Sequence, residues 1–273
     1  MIWWSRGLVD LALTGYLWAA VQALAELAGR RGWPVRTRVL IVSAWAVHTV
    51  GLALRAAAAG GPPVGGLHGA LSVLVWAAIL LLVWGERRYA LQSLPAFVLA
   101  PAAVLGLIAA AMPEAAVFRG SGGPGPSGHA LLIILGLGIL AGNFAGALMY
   151  VLQERAIKHG RLTGISRRLP PLNALDRFSF HTLVVGFPFL TLGIAVGAVS
   201  AGLVHGTGWL MQPTPVVAIA TWAIYAVALY LRAGAGWGGR RGAYLAVAGF
   251  AGTLAALTVS LLLPMRHVAL LGP

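Results

Sequence analysis

The sequence predicts an all-α, polytopic integral membrane protein, a bundle of about eight transmembrane helices. Hydrophobic residues make up 59% of the 273 residues, and charged residues only 9%. Soluble domains have about 25% charged residues. Eight apolar segments are each long enough for the roughly 20 residues that a bilayer-crossing helix requires. We therefore expect one membrane domain over residues 1–273, with no room for a large soluble domain.

Short polar connections separate the eight apolar segments. The first segment is not expected to be a cleaved signal peptide, because it contains Asp10 and Glu26 and no clear cleavage site precedes the basic turn that follows. The expected spans are approximately 7–28, 38–58, 66–85, 91–112, 128–152, 178–203, 213–232 and 243–264.

The basic residues predict the orientation of the bundle. Fifteen of the 19 Lys and Arg residues lie in the turns after the first, third, fifth and seventh segments. The positive-inside rule then places both termini outside. This distribution is typical of loops beside membrane lipid and explains the net charge of +13. We therefore expect no nucleic-acid partner. We expect a multi-pass protein of a bacterial cytoplasmic membrane.

The histidines show the opposite bias. With this topology, five of the seven lie on the outer side. Neutral imidazole is a common ligand of haem iron, which takes axial ligands on both faces of the ring. Two outer histidines on separate segments could therefore hold haem, although any single histidine is more often simply tolerated at an interface. The five are His48, His68, His129, His205 and His267.

His48 differs from the others because it lies within a span, where an ionisable group usually faces the bundle or a cavity. Arg55, seven residues later, shares its helix face. Arg55 could meet the haem propionates, and Trp209 could cover an apolar face of the ring. Asp10 has two open interpretations: it pairs with Arg55 for structural reasons, or it belongs to the ligand site.

Several ordered stretches resemble the cytochrome c assembly family, of the CcsA/CcmC type and its shorter HemX-like branch. GFPFLTLGI and GWGGRR, within the fourth and sixth of these stretches, are the most specific words. The six stretches are AWAVHTVGLALR (44–55), LVWGERRYALQSLPAFVLAP (82–101), GALMYVLQERAIK (146–158), LPPLNALDRFSFHTLVVGFPFLTLGIAVGAV (169–199), ATWAIYAVALYLR (220–232) and GWGGRRGAYLAVAGF (236–250).

The resemblance implies a protein that holds or presents haem at the outer membrane face for attachment to apocytochrome c. It implies haem as cofactor, with His129 and His267 as the external iron ligands and His48 as the histidine of the second span. The family's tryptophan-rich WWD segment is degenerate here: in HGTGWLMQPTP (205–215) only Gly206, Trp209 and Pro213 remain. Substitute ligands would be Met211, His205 or Tyr230.

Three functions stay open at this stage. The first is haem handling in cytochrome c biogenesis. In this function the protein is at most part of a haem lyase or haem-delivery system, and it has no catalytic residue of its own. The second is a non-catalytic accessory or regulatory subunit of a larger membrane complex, with a decayed haem site. The third, a small-molecule transporter, is disfavoured because no clear inverted repeat or matching pair of broken helices is visible.

Overall fold

The computed structural model describes residues 2–30, 34–112, 124–160, 164–205 and 212–262. All regular structure in these ranges is helical. A short 3₁₀ helix, Gly164–Arg168, precedes α6. The α-helices are α1 (Ile2–Leu27), α2 (Pro34–Ala59), α3 (Gly66–Tyr89), α4 (Leu94–Ala111), α5 (Pro124–Lys158), α6 (Leu172–His205), α7 (Pro213–Gly234) and α8 (Gly239–Leu262).

Within the described residues, eight helices are long and apolar enough to cross a membrane, which confirms the predicted fold class. The bounds differ most in α5 and α6. The predicted spans 128–152 and 178–203 correspond to helices of 35 and 34 residues, because polar turns at their ends continue the helix beyond the apolar run. The QERAIK segment at the end of α5 consists mostly of good helix formers.

The helices pack as two neighbouring groups, α1–α4 and α5–α8. In the first group α1 lies against both α2 and α4, and in the second α5 lies against both α6 and α8. The contact of α3 with α5 joins the two groups. The α5–α6 contact is the most extensive, and small residues allow it: a β-carbon on Gly136 would lie 2.9 Å from the backbone nitrogen of Leu190. Close approach through small residues is typical of membrane helices.

The two ends of the bundle have different polar contacts. We call the end where α1, α3, α5 and α7 finish the basic end, and the opposite one the histidine end. At the basic end, Arg232 on α7 forms an ion pair with Asp176 on α6 at 2.8 Å. The backbone N–H of Gly239 donates to the same carboxylate at 2.9 Å. Asp176 thus ties together the ends of three helices.

Most loop arginines lie at the basic end and Arg6 and Arg55 at the other, as the charge pattern predicted. Which end faces outward stays a prediction.

Candidate functional site

His129 lies near the start of α5 at the histidine end, and it contacts α6. Its Nδ1 lies 2.7 Å from the backbone oxygen of Gly193, and the side chain is partly buried. A carbonyl oxygen can only accept a hydrogen bond, so Nδ1 must carry the proton and donate. In the neutral imidazole, the other ring nitrogen, Nε2, then has a free lone pair. This is the tautomer that a metal-ligating histidine uses, with its second nitrogen fixed by a carbonyl.

Two glycines of α6 form the surface on which this imidazole rests. A β-carbon on Gly197 would lie 2.5 Å from Nδ1 of His129, and one on Gly193 would lie 2.7 Å from Cδ1 of Ile133. A side chain at position 197 would therefore displace the ring. The spacing Gly193-x-x-x-Gly197 is visible in the sequence, but its meaning depends on the register between α5 and α6.

His48 occupies a different place, inside the α1–α4 group. It is fully buried, and its Nδ1 lies 3.4 Å from the hydroxyl of Tyr16 on α1. Its Nε2 is buried without a hydrogen-bond partner. An unsatisfied buried polar atom costs about 1–3 kcal/mol. A ligand that binds Nε2 while Nδ1 donates to the Tyr16 hydroxyl would offset this cost. The enclosure of His48 means that a bulky ligand must first move neighbouring side chains.

A third polar cluster joins α1, α2 and α3 near the same end. Arg55 on α2 contacts Nδ1 of His68 on α3 at 3.2 Å. Asp10 on α1 lies 3.6 Å from Nε2 of the same imidazole. Of the two interpretations of Asp10, the structure supports a link to Arg55, and this link includes the His68 ring, which is 2% exposed. The sequence marked His68 as an outer histidine without indicating this bridging position.

Arg6 completes the cluster from the first turns of α1. It lies 3.5 Å from Asp10, and it donates to the carbonyl oxygens of Ala110 and Met112 at the end of α4, both at 3.2 Å. Arginine is suited to this position because its several N–H groups reach different acceptors at once. The cluster consequently fixes the histidine end of four helices and holds Arg55 in a defined place.

The structure thus brings Arg55, His68 and Asp10 together, with His48 on the same helix as Arg55. It places His129 separately, on the α5–α6 pair. Trp209, Met211 and His267 lie outside the described residues, as does the side chain of His205. Tyr230 is 74% exposed near the end of α7, at the basic end, opposite to His129. This position does not support Tyr230 as a substitute ligand beside His129.

The described residues fit haem as a bound cargo only in part. His129 offers one axial nitrogen in the required tautomer. A second axial ligand would have to come from elsewhere, and no group of three or more His, Cys, Asp or Glu able to hold a metal ion occurs within the described ranges. A two-ligand iron site needs no such group, because the porphyrin supplies the other four nitrogens.

The sequence of residues 64–267 matches the family model described as "Cytochrome C assembly protein". This covers well over half of the chain. The chain belongs to the cytochrome c assembly family. The matched range includes His68, His129 and His267, whereas His48 and Arg55 precede it. The family match thus bears directly on the α3–α8 part of the molecule.

Individual relatives carry a more specific name. The chain is 38% identical over 100 residues to the cytochrome c biogenesis protein CcsA of Crocosphaera subtropica, which is 37% of this chain and 30% of the relative. It is 44% identical over 79 residues to CcsA of Guillardia theta, 29% of this chain and 26% of the relative. It is 37% identical over 97 residues to CcsA of Synechocystis, 36% and 29% respectively.

These matches span less than a third of the length of each relative. Together with the family model, they support a multi-pass membrane protein with a role in cytochrome c assembly.

Proposed function

We propose that this protein handles haem during cytochrome c biogenesis, holding or presenting it at the outer membrane face. The observation that carries the proposal is the hydrogen bond from Nδ1 of His129 to the carbonyl of Gly193. It leaves Nε2 unprotonated and orients the ring, which is what an axial ligand of haem iron requires. The family membership supports the same role.

His129 would hold the iron through Nε2, with His267 as the second axial ligand. Gly193 and Gly197 position the ring, one by accepting its proton and the other by leaving space. Trp209 would cover an apolar face of the porphyrin. Haem supplies an iron centre for axial ligation and two vinyl groups for attachment, and it is cargo here, not a fixed part of the protein.

Arg55 would meet the haem propionates. Its guanidinium is held by His68 at 3.2 Å, so its position is fixed before any carboxylate arrives. Arginine pairs with carboxylates through two parallel N–H groups. His48, on the same helix face as Arg55, would belong to the haem-binding site through its buried nitrogen Nε2 without ligating the iron. We propose the roles of Arg55 and His48 from their positions on α2.

The partner that receives the haem would be apocytochrome c or another subunit of a membrane assembly. This chain has no cysteine, so the thiols that form thioether bonds must come from the partner. The protein's contribution would then be positioning: it binds haem, orients it and keeps one edge accessible. We expect the protein to lie in a bacterial cytoplasmic membrane.

The test is the absorption spectrum of detergent-purified protein supplied with haem, first oxidised and then reduced. Wild type is expected to show a Soret band that collapses or shifts in the variant with His129→Ala and His267→Ala. The matched control is His159→Ala, because His159 is exposed at the basic end, just after α5, with its Nδ1 2.8 Å from the backbone oxygen of Arg155. A wild type without a Soret band after haem addition would contradict the proposal.

A second function, as a non-catalytic accessory subunit with a decayed haem site, rests on the degenerate WWD segment. Only Gly206, Trp209 and Pro213 of that pattern remain in residues 205–215. This function predicts co-purification with a membrane partner and no haem in either wild type or variants. The spectrum and a pull-down on the same preparation distinguish the two functions.

A further inference from the structure

A cavity of about 870 Å³ lies at the basic end, on the side of the α1–α4 group, far along the helices from His129. The ends of α1 and α3, the starts of α2 and α4, and the segment 167–171 line it. Its volume falls within the range of small-molecule sites, about 300–1,000 Å³. None of the roles proposed for haem uses this cavity.

The charges that line the cavity are predominantly positive. Four arginines face two glutamates, an excess of two positive charges. Both glutamates are already engaged: Glu26 accepts from the hydroxyl of Thr37 at 3.1 Å, and Glu86 pairs with Arg38 at 3.5 Å. The four arginines are Arg30, Arg38, Arg167 and Arg168.

Three of these arginines, Arg30, Arg167 and Arg168, have no carboxylate partner among the described residues. Arg168, however, donates to the backbone oxygen of Glu26 and is thereby fixed over the end of α1. The guanidinium groups of Arg30 and Arg167 are therefore available to an anion. Arginine is the side chain best suited to grip phosphate, because its N–H groups form a planar fork.

The start of α4 adds a second, independent feature that favours an anion. Ser93 precedes the helix and lines the cavity; it is 7% exposed, and its hydroxyl has no hydrogen-bond partner. The hydroxyl does not cap the helix either. A helix N-terminus carries a partial positive charge that stabilises anions. A phosphate oxygen in the cavity would satisfy both the hydroxyl and the dipole.

Apart from Thr37 and Gln92, the remaining lining is apolar. It includes Leu27, Ile41 and Leu169. A cavity that combines arginines with apolar walls at the end of membrane helices suits a ligand with a charged head and an apolar body. Basic pockets between transmembrane helices are known to take anionic lipid headgroups. A small soluble anion would leave the apolar walls uncovered.

We propose that this cavity binds a phosphate-bearing amphiphile, the headgroup of an anionic phospholipid, through Arg30, Arg167 and Ser93. The phosphate would lie between the two guanidinium groups and the start of α4, with the lipid's glycerol region against the apolar walls. The site is separate from His129, and it does not depend on haem binding.

The experiment measures the Tm of delipidated protein in an uncharged detergent while phosphatidylglycerol, phosphatidylcholine or inorganic phosphate is added. A ligand that binds only the folded state raises Tm with concentration. The test variant is Arg30→Gln with Arg167→Gln. The control is Arg87→Gln with Arg88→Gln, which removes two exposed arginines from the same end outside the cavity. His129→Ala serves as a second control.

Phosphatidylglycerol is expected to raise Tm by several degrees in wild type and in both controls. In the test variant its apparent affinity should fall about tenfold or more, and native mass spectrometry should show less retained phospholipid. An equal effect of inorganic phosphate, lost in the same variant, would support the phosphate site but assign it a soluble ligand. An unchanged response of the test variant, or an equal response to phosphatidylcholine, would overturn the proposal.

Discussion

His129 and Gly197 are so close that a β-carbon on the glycine would lie 2.5 Å from Nδ1 of the imidazole. The ring rests on α6 only because position 197 has no side chain. The absence of that side chain also allows the hydrogen bond to the carbonyl of Gly193. The pair thus links a helix-packing residue to the proposed haem ligand.

Gly197→Ala is therefore expected to displace the His129 ring and to break its bond to Gly193. Loss of such an orienting partner typically weakens metal binding by about 10–100-fold, so haem retained per protein should fall at a given haem concentration. Gly128→Ala is the control, because nothing lies within 4 Å of a β-carbon there. Equal haem retention by both variants would show that Gly197 does not position His129.

His48→Ala tests whether the buried histidine of α2 takes part in haem binding. We expect less haem per protein than in wild type, with His129 intact, because Nε2 of His48 is buried without a hydrogen-bond partner inside the α1–α4 group. Tyr16→Phe is the comparison, since it removes only the hydroxyl 3.4 Å from Nδ1. If His48→Ala has a lower Tm than wild type but the full haem content, His48 has a structural role.

Asp176→Asn is expected to lower the stability of the basic end. The guanidinium of Arg232, 5% exposed, would lose the charge of Asp176, which is itself 28% exposed. Leaving a largely buried charged group without its charged hydrogen-bond partner costs about 1–3 kcal/mol. Thermal unfolding in detergent measures the change. Glu154→Gln is the control, because its partners Lys158 and Arg240 are 55% and 56% exposed and such pairs contribute at most about 1 kcal/mol each. The account of Asp176 fails if the two variants have the same Tm.

Gly136→Ala tests the close contact between α5 and α6. The new methyl group would lie 2.9 Å from the backbone nitrogen of Leu190, and a backbone cannot rotate away as a side chain can. Overpacking of this kind costs about 1–3 kcal/mol, so Tm should fall. Gly7→Ala, with nothing within 4 Å of its β-carbon, should leave Tm unchanged or slightly higher. An unchanged Tm for Gly136→Ala would mean that the helices can separate there without cost.

The sequence was sufficient to predict the eight membrane helices and the sorting of the arginines to one end, because hydropathy and loop charge act locally along the chain. It also placed His129 at the start of the fifth helix. The helix ends were less predictable, since Lys158 and Leu172 belong to helices that continue beyond their apolar runs.

The contacts between helices could not be predicted in the same way. A pair of Asp10 with Arg55 was one of two open interpretations of Asp10, and the structure places the ring of His68 between the two residues. The cradle of Gly193 and Gly197 under His129 likewise depends on the register between two helices. Register follows from the packing of many side chains at once, which periodicity in one chain segment does not specify.

The central claim is that Nε2 of His129 ligates haem iron, and a cavity variant tests it most directly. His129→Gly should bind haem with an altered spectrum, because one axial ligand is missing. Added imidazole should restore the wild-type spectrum by occupying the vacated space beside Gly193 and Gly197. A His129→Gly protein whose haem spectrum already equals that of wild type, without imidazole, would contradict the claim.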